Sequence, residues 1–228
     1  MAPITMRVHH SRARPVLNPA RLIVAGYTGR DPAAVKAHID ELAAEGIPPP
    51  PSVPTFYPLD PRLLTTEATM AVTGQRTSGE VEPVYVRAGG RWYLGVGSDH
   101  TDRDLERADI ARAKATCGKP IGGWFVALPD LARSGDEAAW DATMMSSWVD
   151  GAAYQDGTLA ALRSPRDLLP RLFAWLGGDD GSDIVVYGGT VPLHSGFHFG
   201  SHWRLRLQTP AGVVLEHEYA VVVDGGHG

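Results

Sequence analysis

Three acidic residues carry the strongest chemical signal in this sequence: Glu80, Glu82 and Asp99. Glutamates two apart on a strand project to the same face. A third carboxylate converging on them without basic partners would leave a mutual repulsion that a divalent cation relieves. Oxygen-only ligation suits Mg²⁺ or Mn²⁺, with Ca²⁺ as a further option, rather than Zn²⁺. The competing reading is two solvated glutamates and a turn aspartate. His38 and Glu41 form a second candidate. Three residues apart on a helix, they share a face and can touch. A carboxylate orients an imidazole and raises its basicity, giving a general base able to activate water. The alternative there is a solvated helix face.

His194, His198 and His202 recur at every fourth position. On a helix that spacing would invite zinc, but Gly196 and Gly200 disfavour a helix. On a strand roughly 13 Å would separate neighbours, too far for one ion. A loop whose histidines meet a substrate as polar contacts is the better expectation. His100, beside Asp99, could support a bound ion from behind. Cys117 is the only cysteine and has no base near it in sequence, so it reads as buried and inert.

The elements that must position these residues follow from punctuation and periodicity. Of 228 residues, 26 are Gly and 18 are Pro, which argues against a helical bundle. The 43% hydrophobic content and six Trp argue against disorder. Arg21–Tyr27 reads as a strand. Asp31 caps a helix that runs from Pro32 to a stop at Gly46, and Pro48–Pro51 form a stiff arm behind it. Glu82–Val86 and Arg91–Val96 form a hairpin through Gly89-Gly90, and Met145–Val149 and Ala152–Gln155 form another through Asp150-Gly151. Residues 102–116 are a short helix or turn, and Ser164–Leu176 is an amphipathic helix. Trp124–Leu128, Asp183–Tyr187, Trp203–Gln208, Val213–His217 and Tyr219–Val223 are strands.

Several motifs in one order resemble the fumarylacetoacetate hydrolase superfamily. Glu80-Val81-Glu82 resembles its Glu-x-Glu, and Asp99-His100-Thr101-Asp102-Arg103-Asp104 its Asp-x-(Ser/Thr)-x-Arg-Asp turn. Lys114 with Pro120 and Trp124-Phe125-Val126 resembles its Lys…Pro…Trp stretch. Val149-Asp150-Gly151, Gln155 and Gly157-Thr158 resemble its Gln-bearing hairpin, and Asp183 to Pro192 its Thr-Gly-Thr-Pro strand. His38-Ile39-Asp40-Glu41 is a looser match to a His-x-x-Glu lid helix. Pro83, directly after the second glutamate, and the shortened spacings mark a divergent branch.

The resemblance implies a β-rich α+β fold, a mixed β-roll/β-sandwich with two or three short helices. It implies an N-terminal segment (1–66) with a lid helix and proline-rich arm, then a catalytic β-roll (67–228). It also assigns roles. Glu80, Glu82 and Asp99 would hold the metal. His38, held by Glu41, would activate water, and Lys114 would stabilise an oxyanion. Gln155 and Thr190 would contact substrate, although a hairpin and strand-end hydrogen bond would equally explain them. His194 joins them as a substrate contact only through the loop reading of the histidine series, in a stretch that departs from the family pattern. Arg103 would be either a second anion anchor or a structural partner for a carboxylate.

The implied activity is divalent-metal-dependent hydrolysis of a C–C bond in a 2-oxo or 2,4-dioxo carboxylic acid through a metal-stabilised enolate. Decarboxylation, hydration or isomerisation on the same site is the alternative, and a non-catalytic binding module of the same fold is a second one. A net charge of −5 offers no basic footprint for nucleic acid. No apolar run suits a signal peptide or a membrane span. A cytoplasmic setting and a homodimer complete the expectation.

Overall fold

A computed structural model describes residues 3–44, 49–128 and 137–224. Two sheets dominate it. Seven strands lie side by side in the order Arg7–Val8, Trp124–Ala127, Arg91–Ser98, Val81–Ala88, Ile184–Tyr187, Arg21–Gly26 and Thr55–Leu59. Five more run in the order Ala152–Thr158, Met144–Val149, His202–Gln208, Val214–Val223 and Thr69–Val72. Arg21–Gly26 pairs in parallel with Ile184–Tyr187, so chain from either side of position 66 shares one sheet.

The facing sides of the sheets bury one core. Tyr85, Leu94, Val96, Ile184 and Val186 pack with Trp203, Leu205, Leu207, Leu215 and Tyr219. The other face of the seven-stranded sheet is covered as well: Val84, Val86, Tyr93, Val185 and Tyr187 pack with Met6, Val8, Leu17 and Phe125. Burial on both faces explains why these strands read as continuous apolar runs rather than alternating ones. The five-stranded sheet turns its outer face to solvent, where Arg204 and Arg206 pair with Glu216 and Glu218. Its strands accordingly alternate.

Both hairpins form as expected. Gly89 and Gly90 (φ 57° and 75°), like Asp150 and Gly151 (φ 49° and 84°), adopt the left-handed pair that a two-residue turn demands. Helix α1 spans Pro32–Ala44, with Asp31 accepting from the Ala33 N–H at 2.9 Å. The expected stop at Gly46 and the start of the proline arm lie outside the described residues. Residues 102–116 split into α2 (Arg103–Glu106) and α3 (Ile110–Ala115), each capped by an aspartate, Asp102 and Asp109. A short α4 (Glu137–Asp141) joins them, and α5 (Pro165–Trp175) buries Leu168, Leu169 and Leu172, giving five α-helices among the described residues. The two strands expected between 213 and 223 are one, Val214–Val223, because His217 and Glu218 stay in the ladder opposite Leu205 and Arg204. No helix among the described residues is long and apolar enough to cross a membrane.

Pro83 sits inside Val81–Ala88 opposite Val96. Its carbonyl accepts the Gly188 N–H at 2.9 Å, so its own missing donor faces the same side, past the end of Ile184–Tyr187. There it removes no bond from the ladder to Arg91–Ser98.

Candidate active site

The long hairpin ends in a buried cluster of charge. Asp99 follows Arg91–Ser98, and its backbone N–H donates to the Glu80 carbonyl at 3.0 Å. Its side chain is buried and meets two lysines. Lys114 Nζ, from the inward face of α3, donates to Oδ2. Lys119 Nζ lies 3.2 Å from Oδ1 and donates to the His100 carbonyl at 2.5 Å. Burial by itself would raise the Asp99 pKa, but Lys114 and Lys119 outweigh it and hold the carboxyl well below its usual range. Burial likewise opposes charge on Lys114, yet Asp99, Glu106 and Glu80 raise its pKa. Burial prevails at Lys119, whose pKa falls despite Asp99.

Arg103 on α2 completes the cation set. Its Nη2 lies 3.1 Å from Glu80 Oε2, its Nη1 donates to Glu106 Oε2 at 2.8 Å, and its Nε donates to Ser78 Oγ at 2.6 Å. The Phe197 ring covers the guanidinium at 4.2 Å. Arg103 is therefore a structural partner for carboxylates, and the anchor reading leaves it little to donate. Glu82 differs from the others. Its Oε2 accepts the Gly189 N–H at 2.8 Å, and among the described residues no cation pairs with it. Burial first, and then the Asp99 carboxylate, push its pKa well above the usual carboxyl range.

The implied divalent ion can be tested against these donors. No group of three His, Cys, Asp or Glu side chains among the described residues is arranged to hold a metal. Both Asp99 oxygens face ammonium groups, and Glu80 faces the guanidinium. Glu80, Glu82 and Asp99 do come to one end of the hairpin, but the first and last as partners of internal cations. The set does not fit the ion.

The expected substrate contacts are spent within the protein. Gln155 Oε1 accepts from the Val81 N–H (3.0 Å) and Ser147 Oγ (2.9 Å). Its Nε2 donates to Thr190 Oγ1 (2.8 Å) and the Val191 carbonyl (2.7 Å), so all four of its hydrogen-bonding positions are used. Thr190 Oγ1 in turn donates to the Val81 carbonyl at 2.8 Å. Together these side chains continue the ladder beyond Tyr187, where the neighbouring strand stops. His194 pairs with exposed Asp156, the residue after Gln155 and hence on the opposite face. His198 meets Ser195 instead, so the three histidines do not converge. His38 and Glu41 do pair, at 3.9 Å, but their side chains are 61% and 77% exposed.

Two tyrosines and a lysine escaped sequence reasoning. Lys114 Nζ lies 5.7 Å from the centre of the Tyr57 ring, and burial pushes the Tyr57 pKa up to about 12. Tyr27, at the end of its strand with φ 55°, places its ring 6.3 Å from that of His38. Lys119, at the Gly-Lys-Pro step, carried no signal beyond its type. A cavity of about 240 Å³ lies at the Asp150–Gly151 turn, lined by His198 and Phe199 among others but by neither the carboxylate cluster nor its cations.

His100 has turned away from the carboxylates into the aromatic core. It is bonded to Tyr219 Oη and Thr77 Oγ1 at 2.9 Å each. Burial, with Lys119 and Arg103 nearby, lowers its pKa to about 3 although Asp99 opposes this, and burial alone lowers that of His217 to about 4. Between pH 6.5 and those values the unfolded chain binds protons that the fold refuses, so stability falls as the pH falls. Glu82, protonated more readily when folded, offsets part of that fall above about 4.5, and below about 3.8 the loss of the Asp99 charge adds to it. Thermal melts from pH 7 to 4 should show a steady drop in Tm, flattened in His100→Gln. An unchanged slope in that variant would show that another group controls acid lability.

A family model described as a protein of unknown function, DUF2848, matches residues 25–219. No curated protein matches. Among solved structures, a candidate fumarylacetoacetate isomerase/hydrolase from Oleispira antarctica is 19% identical with TM-score 0.66, over 97% of this chain and all of that one. A candidate fumarylpyruvate hydrolase from Burkholderia cenocepacia is 17% identical with TM-score 0.61, covering 98% and 96%. A 5-carboxymethyl-2-hydroxymuconate delta-isomerase from Mycobacterium smegmatis is 16% identical with TM-score 0.59, covering 92% and 82%. The fold is fumarylacetoacetate hydrolase-like.

Proposed function

We propose that this chain, which belongs to the DUF2848 family of proteins of unknown function, is an enzyme that hydrolyses a C–C bond in a small 2-oxo or 2,4-dioxo carboxylic acid. One observation supports this most: Lys114 and Glu82 flank Asp99 at one end of the hairpin in a fumarylacetoacetate hydrolase-like fold. The Lys114 side chain is 9% exposed, beside half-buried Tyr57. It stands at the boundary between buried charge and solvent, where an ammonium can stabilise an oxygen that becomes negative. Glu82, without a cationic partner among the described residues, is the carboxyl that would return a proton to carbon. In hydrolysis, water adds to the distal carbonyl, the C–C bond breaks, and the departing enolate takes up that proton. His38 held by Glu41 is the base for the water.

The exposure of His38 and Glu41 favours a second reading, isomerisation, which moves a proton between carbons and needs no activated water. A panel of acylpyruvates and other oxo acids, followed by loss of enol absorbance and by mass, separates the two. Hydrolysis predicts two fragments and a fall of about 10²-fold or more in His38→Ala. Absorbance change without fragments, untouched by His38→Ala, favours isomerisation. No change with any compound, together with ligand-induced stabilisation, favours a binding module.

A further inference from the structure

We propose that Lys119 supplies from within the protein the positive charge that the Glu80–Glu82–Asp99 cluster needs, so that this site neither requires nor retains a divalent cation. The inference rests on the reading above only for the identity of the cluster as the active site.

Lys119 is fully buried. An ammonium removed from water is tolerated only where it is paired and hydrogen-bonded. Here the partners are Asp99 Oδ1 and the His100 carbonyl. The residue is also held from both sides by its backbone. Lys119–Pro120 pairs in parallel with Leu64–Thr65, and the buried Tyr187 hydroxyl lies 3.0 Å from each of the Lys119 and Pro120 carbonyls. The ammonium is thus a fixed part of the cluster rather than a side chain that swings in.

Charge balance points the same way. Glu80, Asp99 and Glu106 face Arg103, Lys114 and Lys119, three paired carboxylates against three cations, and Glu82 is the one further carboxyl, bonded to the Gly189 N–H. A dication gains affinity from surplus negative charge in a polar cage of oxygens. Here it would have to displace an ammonium from Asp99 or stand beside two of them at like charge. Lys119 is accordingly a positioning residue: it fixes Asp99, and Asp99 fixes Lys114 for the chemistry.

The test is titration of the chelator-dialysed protein with Mn²⁺, read by the paramagnetic resonance signal of free Mn²⁺. With the native chain the free signal should rise in proportion from the first addition, and the Mn²⁺ should leave Tm unchanged. In Lys119→Met, with Asp99 Oδ1 released, affinity for one equivalent should rise at least about tenfold and be lost again on adding Glu80→Gln. One equivalent of divalent metal retained by the native chain, or a depressed free signal, overturns the proposal. A folded Lys119→Met that still ignores Mn²⁺ also overturns it. If that variant does not fold, the native titration decides. Oxo-acid turnover is scored separately with chelator present. Turnover that survives chelator supports the proposal, turnover lost to chelator overturns it, and absence of all turnover counts against the activity while leaving the Mn²⁺ result readable.

Discussion

Asp99→Asn will melt on the order of 10 °C below the native protein at pH 7, as a loss of about 3–5 kcal/mol implies for a chain of this size. The substitution changes little in volume. Among the described residues it removes the only carboxylate that Lys119 meets, and a main partner of Lys114. A buried charge without its counterion costs far more than the intact pair contributes, because the desolvation remains after the attraction has gone. Lys114 can relax toward solvent and still has Glu106 and Glu80 nearby, but Lys119 has no exit. Adding Lys119→Met to Asp99→Asn should therefore return part of the loss, a coupling that calorimetry on the four members of the cycle measures. A single Asp99→Asn melting within about 2 °C of the parent would mean that these ion pairs carry little stability.

Lys114→Met will lower turnover of the preferred oxo acid by about 10²–10³-fold, the usual effect of removing one donor to a developing oxyanion. Methionine keeps the length and apolar stem of the side chain, so packing against Tyr57 survives while the ammonium is lost. The loss should fall mainly on kcat, since the charge it stabilises is largest in the transition state. A variant whose KM rises while kcat holds would make Lys114 a ground-state anchor for the substrate carboxylate instead. Retention of both values would remove it from the chemistry altogether.

The parts legible beforehand were local. Two-residue turns, the Asp31 cap, a Ser-Pro helix start and apolar runs depend on neighbours in sequence, and they placed most elements correctly. The order of motifs from Glu80 to Pro192 pointed to the fold. It did not reveal how the side chains are used. By type and position Gln155 suits a substrate ligand, but its hydrogen bonds close on Val81, 74 residues away, and on Thr190 and Val191. Pro83 marks divergence in sequence, and only the fold shows why it is tolerated: the neighbouring strand ends beside it.

By itself the sequence determined the hairpins, the Asp31 cap and the shared strand face of Glu80 and Glu82, because these follow from backbone preference and the period of two along a strand. Only the tertiary structure decided which cation answers which carboxylate. Arg103 could have met the substrate, and Lys119 read as an unremarkable step before a proline. Closing the sheets buried both beside carboxylates fixed by a different strand pairing. Ion pairing in a buried site is set by desolvation and by distances across the fold, and neither is written in local spacing.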